Sequence, residues 1–417
     1  MNPDRPTDAT AGPTGETIAI VGAGQAGFWA AQTLRKEGFT GRLVLIGEEL
    51  HPPHERPPLS KAVLAGEAAA DSTWLISLDA LQALNLEWWP DTRVFRIERE
   101  RKRFVLDSGE TLAYNKLILC TGGRARMLSV PGSDDASVYA LRTIGDAQAL
   151  APMLKPGRSI VVIGGGWIGL EVAATARKRG AKVTVLEAQS RLCERTVPKE
   201  ISEHLLALHL AHGVNIILGA EASSIARQAD GRTQISLADG RALVCDAIVA
   251  GIGLEPNDEL AKEAGLECDR GVIVDSRCQT SDSNIFAAGD VAVAPNPWAG
   301  RPIRLESWQN AQEQGIAAGR AALGLPVDYK PLPWFWSDQY DMNLQIYGVP
   351  APSHRVVSRG APETGSFVLF YLDGDVIQAA LGANSAKDLR FAKRLIEQKK
   401  SVDIALLTDM NTPMSKI

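Results

Sequence analysis

Three glycines spaced GxGxxG occur twice in this chain. They are Gly22, Gly24 and Gly27 in TIAIVGAGQAG, and Gly164, Gly166 and Gly169 in SIVVIGGGWIG. The first glycine of such a set permits a tight strand-to-helix turn. The second lets the backbone approach a pyrophosphate, and the third lets helix pack closely on strand. The anion then rests on the free N–H groups and the positive dipole end of the helix. Ile168, inside the second pattern, joins its glycines as a candidate nucleotide contact. Glu187 stands 18 residues after Gly169, where a carboxylate accepts hydrogen bonds from both ribose hydroxyls and repels a 2′-phosphate. That favours NADH over NADPH. Arg191 argues the other way, because arginine is also how such sites hold the 2′-phosphate. In the first pattern the corresponding acids are Glu48 and Glu49, 21 and 22 residues after Gly27, with a solvated loop acid as the alternative reading for each.

Both patterns demand the same frame around them. Each follows a β-branched apolar run, residues 18–21 and 160–163, of buried parallel-strand type. Each leads into an alanine-rich helical stretch, 28–37 and 170–179, that stops at Gly38 or Gly180, and a second strand follows at 42–46 and 182–186. The chain therefore holds two βαβ units starting 142 residues apart. Further strands are expected at 116–120, 247–250, 272–275 and 284–288, the last ending in Gly289-Asp290, with a helix over 311–323. From Tyr329 the composition shifts towards aromatics, and Trp334 and Trp336 are read either as core or as an acceptor-facing surface. Antiparallel strands at 344–347, 366–372 and 376–381 precede an amphipathic helix over 386–400. The fold class is α/β: two Rossmann-like dinucleotide-binding domains and a C-terminal α+β domain. Two dinucleotides meeting in one chain imply hydride transfer between nicotinamide and flavin, hence NAD(H) and FAD.

Composition narrows the field. The 417 residues suggest two or three domains, and 45% apolar with 22% charged residues is ordinary globular composition. A net charge of −5 argues against broad nucleic-acid binding, and the chain has no run of 18 apolar residues to cross a membrane. The polar residues 1–14 lack a secretory core and read as a flexible tail. Cys120, Cys193, Cys245, Cys268 and Cys278 are odd in number and show no CxxC spacing, which fits reduced thiols in the cytoplasm. The six histidines, His51 and His54 among them, show no metal spacing, so no metal site is expected and all are read as surface or loop residues.

The chain resembles the pyridine nucleotide–disulfide reductase superfamily. That likeness rests on the early fingerprint, the inserted second one, and a late Asn284-Ile-Phe-Ala-Ala-Gly-Asp290. Within it, the chain is similar to the ferredoxin reductases of bacterial oxygenase systems and, more distantly, to apoptosis-inducing factor. The marks are Glu55-Arg-Pro-Pro-Leu-Ser-Lys61, Gly164-Gly-Gly-Trp-Ile-Gly-Leu-Glu171, Glu306-Ser-Trp-Gln-Asn-Ala-Gln-Glu-Gln-Gly315 and Pro333-Trp-Phe-Trp-Ser-Asp-Gln-Tyr340. The resemblance implies a glutathione reductase-like arrangement. FAD would be held by residues 15–125 and 255–328, NAD by 126–254, and 329–417 would form the C-terminal domain. It implies that Arg56 and Lys61 contact the flavin end of FAD and that Val94 and Arg126 line the FAD site, with Arg124 as the alternative register. Asp290 would hold the ribityl chain, Ser307 and Trp308 would lie beside the ring, and Glu171 would face the nicotinamide and pair with Lys61. Lys61 and Glu171 are the catalytic candidates, a lysine suiting a place where reduced flavin gathers negative charge. The superfamily's disulfide-reducing branches carry a cysteine pair near the segment occupied here by residues 55–61, and this chain has none there.

The implied activity is an NADH:ferredoxin reductase that passes electrons through FAD to a two-iron ferredoxin. That ferredoxin would feed a Rieske aromatic dioxygenase of aromatic hydrocarbon catabolism, or a haem-thiolate monooxygenase. A rubredoxin reductase, an NADH oxidase-type flavoprotein and a redox-sensing NAD/FAD-binding protein are the rival readings. Ferredoxins in this setting are acidic, and residues 385–400 hold six basic residues against Asp388 and Glu397, a local +4. Lys387, Arg390 and Arg394 recur at i, i+3 and i+7 on one face, while Leu389, Ala392 and Ile396 recur on another.

Overall fold

The computed structural model describes residues 15–417, so the expected tail over 1–14 lies outside the described residues. The chain divides into two compact units. One is built from residues 15–55, Trp74–Gly123 and Pro256–Pro333. The other is built from Arg56–Thr73, Arg124–Glu255 and Trp334–Ile417.

The first unit is organised by a five-stranded parallel sheet. Its strands run in the order Ile285–Ala287, Lys116–Leu119, Thr17–Val21, Arg42–Ile46, Glu87–Trp89. Thr17–Val21 lies in the middle, and all five of its residues are buried. Its neighbours in register are apolar too, Ile20 lying between Leu45 and Ile118, which is why this run is continuously hydrophobic rather than alternating. Ala19 and Val21 face one core with Phe104 and Leu117, and Ile18 and Ile20 face the other with Leu34 and Phe286. Helix Gln25–Lys36 lies against helix Trp308–Ala322, which begins three residues before the expected start because Ser307 caps it. Gly315 makes the approach possible, since a Cβ there would stand 2.4 Å from the Ala26 carbonyl oxygen. Strands Val94–Glu98, Arg103–Leu106 and Thr111–Ala113 add a small antiparallel sheet.

The second unit repeats the theme. A parallel sheet orders Asn215–Leu218, Lys182–Glu187, Ser159–Ile163, Ala247–Ala250 and Val138–Tyr139. A separate antiparallel sheet orders Trp334–Gln339, Met342–Gly348, Val376–Ala383, Ser366–Asp373 and Arg355–Ala361. Leu170 of helix Trp167–Lys178 and Ile201 and Leu205 of helix Lys199–Ala211 share one core with Leu344, Phe367 and Leu381 of that sheet. Helix Ala386–Gln398 buries Leu389, Ala392, Leu395 and Ile396, leaving Lys387, Arg390 and Arg394 exposed. The α/β class with paired Rossmann-like cores and a C-terminal antiparallel domain is thus the observed one. Among the described residues, no helix is long and apolar enough to cross a membrane.

One expectation is corrected. The histidines are not all surface or loop residues, for His209 is completely buried on helix Lys199–Ala211, whereas His54, though buried, does lie on a loop. Spacing for metal ligation says nothing about burial, and a neutral imidazole sits in a core when both nitrogens find partners.

Candidate active site

The two glycine turns have the same construction. Gly22 ends its strand at φ +111°, and a Cβ on it would stand 2.1 Å from the Cys120 carbonyl oxygen. A Cβ on Gly27 would stand 1.9 Å from the Gly22 carbonyl oxygen. Gly24 differs: it starts helix Gln25–Lys36 with no side-chain cap, and nothing lies within 4 Å of the place its Cβ would take. In the second copy, Gly164 has φ +107° and its Cβ would meet the Gly251 carbonyl oxygen at 2.4 Å, while that of Gly169 would meet the Gly164 oxygen at 2.1 Å. Gly166 again starts an uncapped helix, with only the Gly251 oxygen near, at 3.9 Å. In both copies the first and third positions are closed by backbone, and the second opens at the helix start. This is a cradle that a pyrophosphate fits. Ile168, next to the second cradle, is exposed despite its apolar side chain.

Glu187 ends strand Lys182–Glu187. Its Oε2 accepts from the Gly165 N–H at 2.6 Å and its Oε1 from the Gln189 N–H at 2.8 Å. The backbone thus fixes both oxygens and leaves lone pairs on each for ribose hydroxyls. Arg191 is engaged elsewhere. Its Nη1 donates to the Val197 carbonyl at 2.6 Å and to Ser202 Oγ at 2.8 Å, and its Nη2 donates to the Glu194 carbonyl at 2.8 Å. In the first unit Glu48 is exposed with Arg93 Nε 3.5 Å away, while Glu49 lies 3.5 Å from His54.

The structure brings Lys61 and Glu171 together. Glu171, in the second turn of helix Trp167–Lys178, is buried, and its Oε2 lies 2.7 Å from Lys61 Nζ. Two residues that the sequence reading did not single out complete the carboxylate's surroundings. Ser60 Oγ donates to Oε2 at 2.5 Å, and Ser337 Oγ donates to Oε1 at 2.6 Å. Lys61 keeps one side open to solvent and also donates to the Pro57 carbonyl at 3.3 Å. Arg56 Nη1 donates to the Arg142 carbonyl at 2.5 Å.

The other expected residues are more dispersed. Val94 is buried in the first unit's core. Arg124 pairs with Glu255 at 3.1 Å, whereas the exposed Arg126 makes no ion pair among the described residues. Asp290 follows Gly289, whose N–H donates to Gln314 Oε1 at 2.9 Å, and the Asp290 carbonyl accepts from Arg304 at 3.0 Å. Ser307 caps helix Trp308–Ala322 by accepting from the Asn310 N–H at 3.2 Å, and Trp308 Nε1 donates to Glu55 at 3.0 Å. Trp334 and Trp336 stack on each other at 4.9 Å, both half-buried, and Phe335 between them packs on the core. The five cysteines are free thiols, and burial pushes Cys193 and Cys245 up to about 12 and raises Cys120 and Cys278 further. They are inert thiols, not thiolates poised for exchange. Among the described residues no group of three or more His, Cys, Asp or Glu side chains is placed to hold a metal ion.

Residues 16–315 match the family described as pyridine nucleotide-disulphide oxidoreductase, and residues 334–417 the one described as reductase C-terminal. The ferredoxin–NAD(+) reductase component of an anthranilate 1,2-dioxygenase system from Burkholderia cepacia is 40% identical over 395 residues, covering 94% of this chain and 97% of its own. A rhodocoxin reductase from Rhodococcus erythropolis is 39% identical, over 91% of this chain and 89% of its own. Among solved structures, the reductase in a covalent putidaredoxin reductase–putidaredoxin complex superposes with a TM-score of 0.93 at 37% identity, covering 96% of this chain and 97% of that one.

Proposed function

The chain belongs to the pyridine nucleotide-disulphide oxidoreductase family, and from that premise we propose that it is an FAD-dependent NADH:ferredoxin oxidoreductase supplying an oxygenase. The observation that carries this reading is the pair of open cradles, the second beside a carboxylate braced for ribose hydroxyls. When bound, FAD would supply acceptance of a hydride from NADH and release of electrons one at a time to an iron–sulfur protein.

The chain's own residues have these parts in the reading. Gly22, Gly24 and Gly27 seat the FAD pyrophosphate, with Glu48 at its ribose, Asp290 at the ribityl hydroxyls, and Ser307 and Trp308 beside the ring. Arg56, Lys61 and Arg126 are also assigned to FAD, Arg126 rather than Arg124 because Arg124 already has Glu255. Gly164, Gly166, Ile168 and Gly169 seat NADH, and Glu187 selects it over NADPH. Arg191 holds its loop and does not read a phosphate, since both of its Nη atoms already donate there. Lys61 supplies positive charge where electron density arrives, and Glu171 orients it. The assignment keeps FAD with residues 15–125 and 255–328 and NADH with 126–254, and gives 329–417 to the acceptor side. Free thiols with no disulfide support a reducing compartment, the cytoplasm.

Anaerobic mixing tests the reading directly. NADH should bleach the flavin absorbance, NADPH should do so more slowly, and an oxidised two-iron ferredoxin should restore it. Reoxidation by rubredoxin but not by ferredoxin would overturn the acceptor assignment.

A further inference from the structure

Glu171 stands at the end of a buried chain of hydrogen bonds that begins on a different helix. Ser337 Oγ lies 2.6 Å from Glu171 Oε1, Gln339 Nε2 lies 3.1 Å from Ser337 Oγ, His209 Nε2 lies 2.8 Å from Gln339 Oε1, and Tyr340 Oη lies 3.3 Å from His209 Nδ1. Glu171, Ser337, Gln339 and His209 are all buried, so water does not substitute for the links among these four. His212 stacks on Tyr340, with centroids 3.6 Å apart, and closes the far end.

The chemistry of these groups allows one direction only. A carboxylate has no proton to give, so Ser337 must donate to it. Its hydroxyl oxygen must then accept from Gln339, which turns the amide NH2 towards Ser337 and the amide oxygen towards His209. That oxygen requires a proton on His209 Nε2, which leaves Nδ1 bare to accept from Tyr340. Burial holds His209 neutral, pushing it down to about 4, so a single ring proton is there to be placed.

We propose that Ser337, Gln339, His209 and Tyr340 form a one-way donor relay that positions Glu171 towards Lys61, and that the charge on Glu171 dictates which nitrogen of His209 is protonated. These four are positioning residues. The consequence for flavin reduction rests on the function proposed above, but the tautomer does not depend on turnover.

The reversal can be worked out residue by residue. In Glu171→Gln, Lys61 Nζ and Ser60 Oγ both donate at the Oε2 position and so hold the new amide oxygen there. The amide nitrogen takes the place of Oε1 and donates to Ser337. Ser337 then donates to Gln339, the Gln339 amide turns over, and its NH2 faces His209 Nε2. The ring proton must now sit on Nδ1, donating to Tyr340 Oη, and the half-buried tyrosine turns its own proton to solvent.

Nitrogen-15 NMR of the holoenzyme labelled at histidine reads this, because the two tautomers give distinct pairs of ring signals. The His209 signals are identified by their loss in His209→Gln. The expected result is Nε2–H in the wild type and Nδ1–H in Glu171→Gln. In Ser337→Ala the coupling is cut, so adding Glu171→Gln to it should leave the tautomer where Ser337→Ala alone puts it. Ser337→Ala should also slow reduction of the flavin by NADH about fivefold, the worth of roughly one net hydrogen bond, and Ser337→Thr should restore most of that rate. The same tautomer in wild type and Glu171→Gln overturns the relay, even with ferredoxin reduction intact. A switched tautomer in a protein that fails to reduce ferredoxin keeps the relay and removes the proposed function instead.

Discussion

Glu187 and Arg191 make opposite demands on the nucleotide, and the structure separates them quantitatively. Both oxygens of Glu187 are already aligned by the Gly165 and Gln189 N–H groups, so binding NADH needs no reorganisation of the carboxylate. Removing it in Glu187→Ala forfeits the charged hydrogen bonds to the ribose, about 2 kcal/mol net or about 30-fold in NADH affinity. NADPH loses nothing comparable, because the same change removes a like charge beside its 2′-phosphate. The kcat/KM preference for NADH should therefore shrink by at least about 30-fold, mainly through KM for NADH. Arg191→Ala is the internal control. Its guanidinium ties Val197, Ser202 and Glu194 together, so losing it should weaken both nucleotides by similar factors. Steady-state rates with a small dye acceptor and each nucleotide measure both. An unchanged preference in Glu187→Ala would remove Glu187 as the selector, and a loss confined to NADPH in Arg191→Ala would make Arg191 a phosphate reader after all.

Further outcomes follow from other parts of the structure. Lys61→Met keeps the length of the side chain but leaves Glu171 without its cation, so flavin reduction by NADH should slow by an order of magnitude or more in stopped flow; wild-type rates would remove Lys61 from the site. Reversing the exposed Arg390 and Arg394 to Glu should lower ferredoxin reduction through the encounter rate, with a loss that fades as salt rises and no change with a dye; an equal loss with both acceptors would leave that helix a plain surface. Arg359 is buried against the partly exposed Asp388 and the carbonyls of Leu407, Asp409 and Thr412, so Arg359→Ala leaves those carbonyls without their donor and should cost about 2–4 kcal/mol in denaturant melts. Protease should then nick the chain first over 404–417; stability within about 1 kcal/mol of wild type would count against the clamp. His209 is pushed down to about 4 by burial, whereas the unfolded chain takes up that proton near 6.5. Stability should thus fall as pH drops from about 6.5 to about 4, by up to about 3 kcal/mol from this group, and urea midpoints of His209→Gln should fall less over that window.

What could be read from the sequence was what is local. Each fingerprint is a demand made by six residues on their own backbone, and the strand before it and the helix after it are neighbours in sequence. The frame followed to within a few residues, from Gln25–Lys36 to Trp167–Lys178. Helix Trp308–Ala322 began earlier than its apolar periodicity suggested because a serine cap, not a hydrophobic position, sets its start. The sheet of Ala222–Arg227 and Thr233–Leu237 and helix Lys199–Ala211 are hard to read from sequence, since short half-exposed strands and an apolar-rich helix carry weak periodic signals.

The surroundings of Glu171 were illegible for a different reason. They converge from residues 60–61, 171, 209 and 337–340, four stretches that no spacing connects. Strand Trp334–Gln339 also inverts the usual rule. Its aromatic Trp334 and Trp336 are half-exposed, while Ser337 and Gln339 are buried, so hydrophobic alternation points the wrong face inward. A strand that buries a hydroxyl and an amide is costly unless both find partners, and here both do, in a line that ends on a buried carboxylate. The polar face of that strand is therefore explained by Glu171 rather than by packing. By that logic Ser337→Val, which satisfies the apolar pattern, should be harsher than Ser337→Ala, because it fills the space at Glu171 Oε1 without supplying the donor.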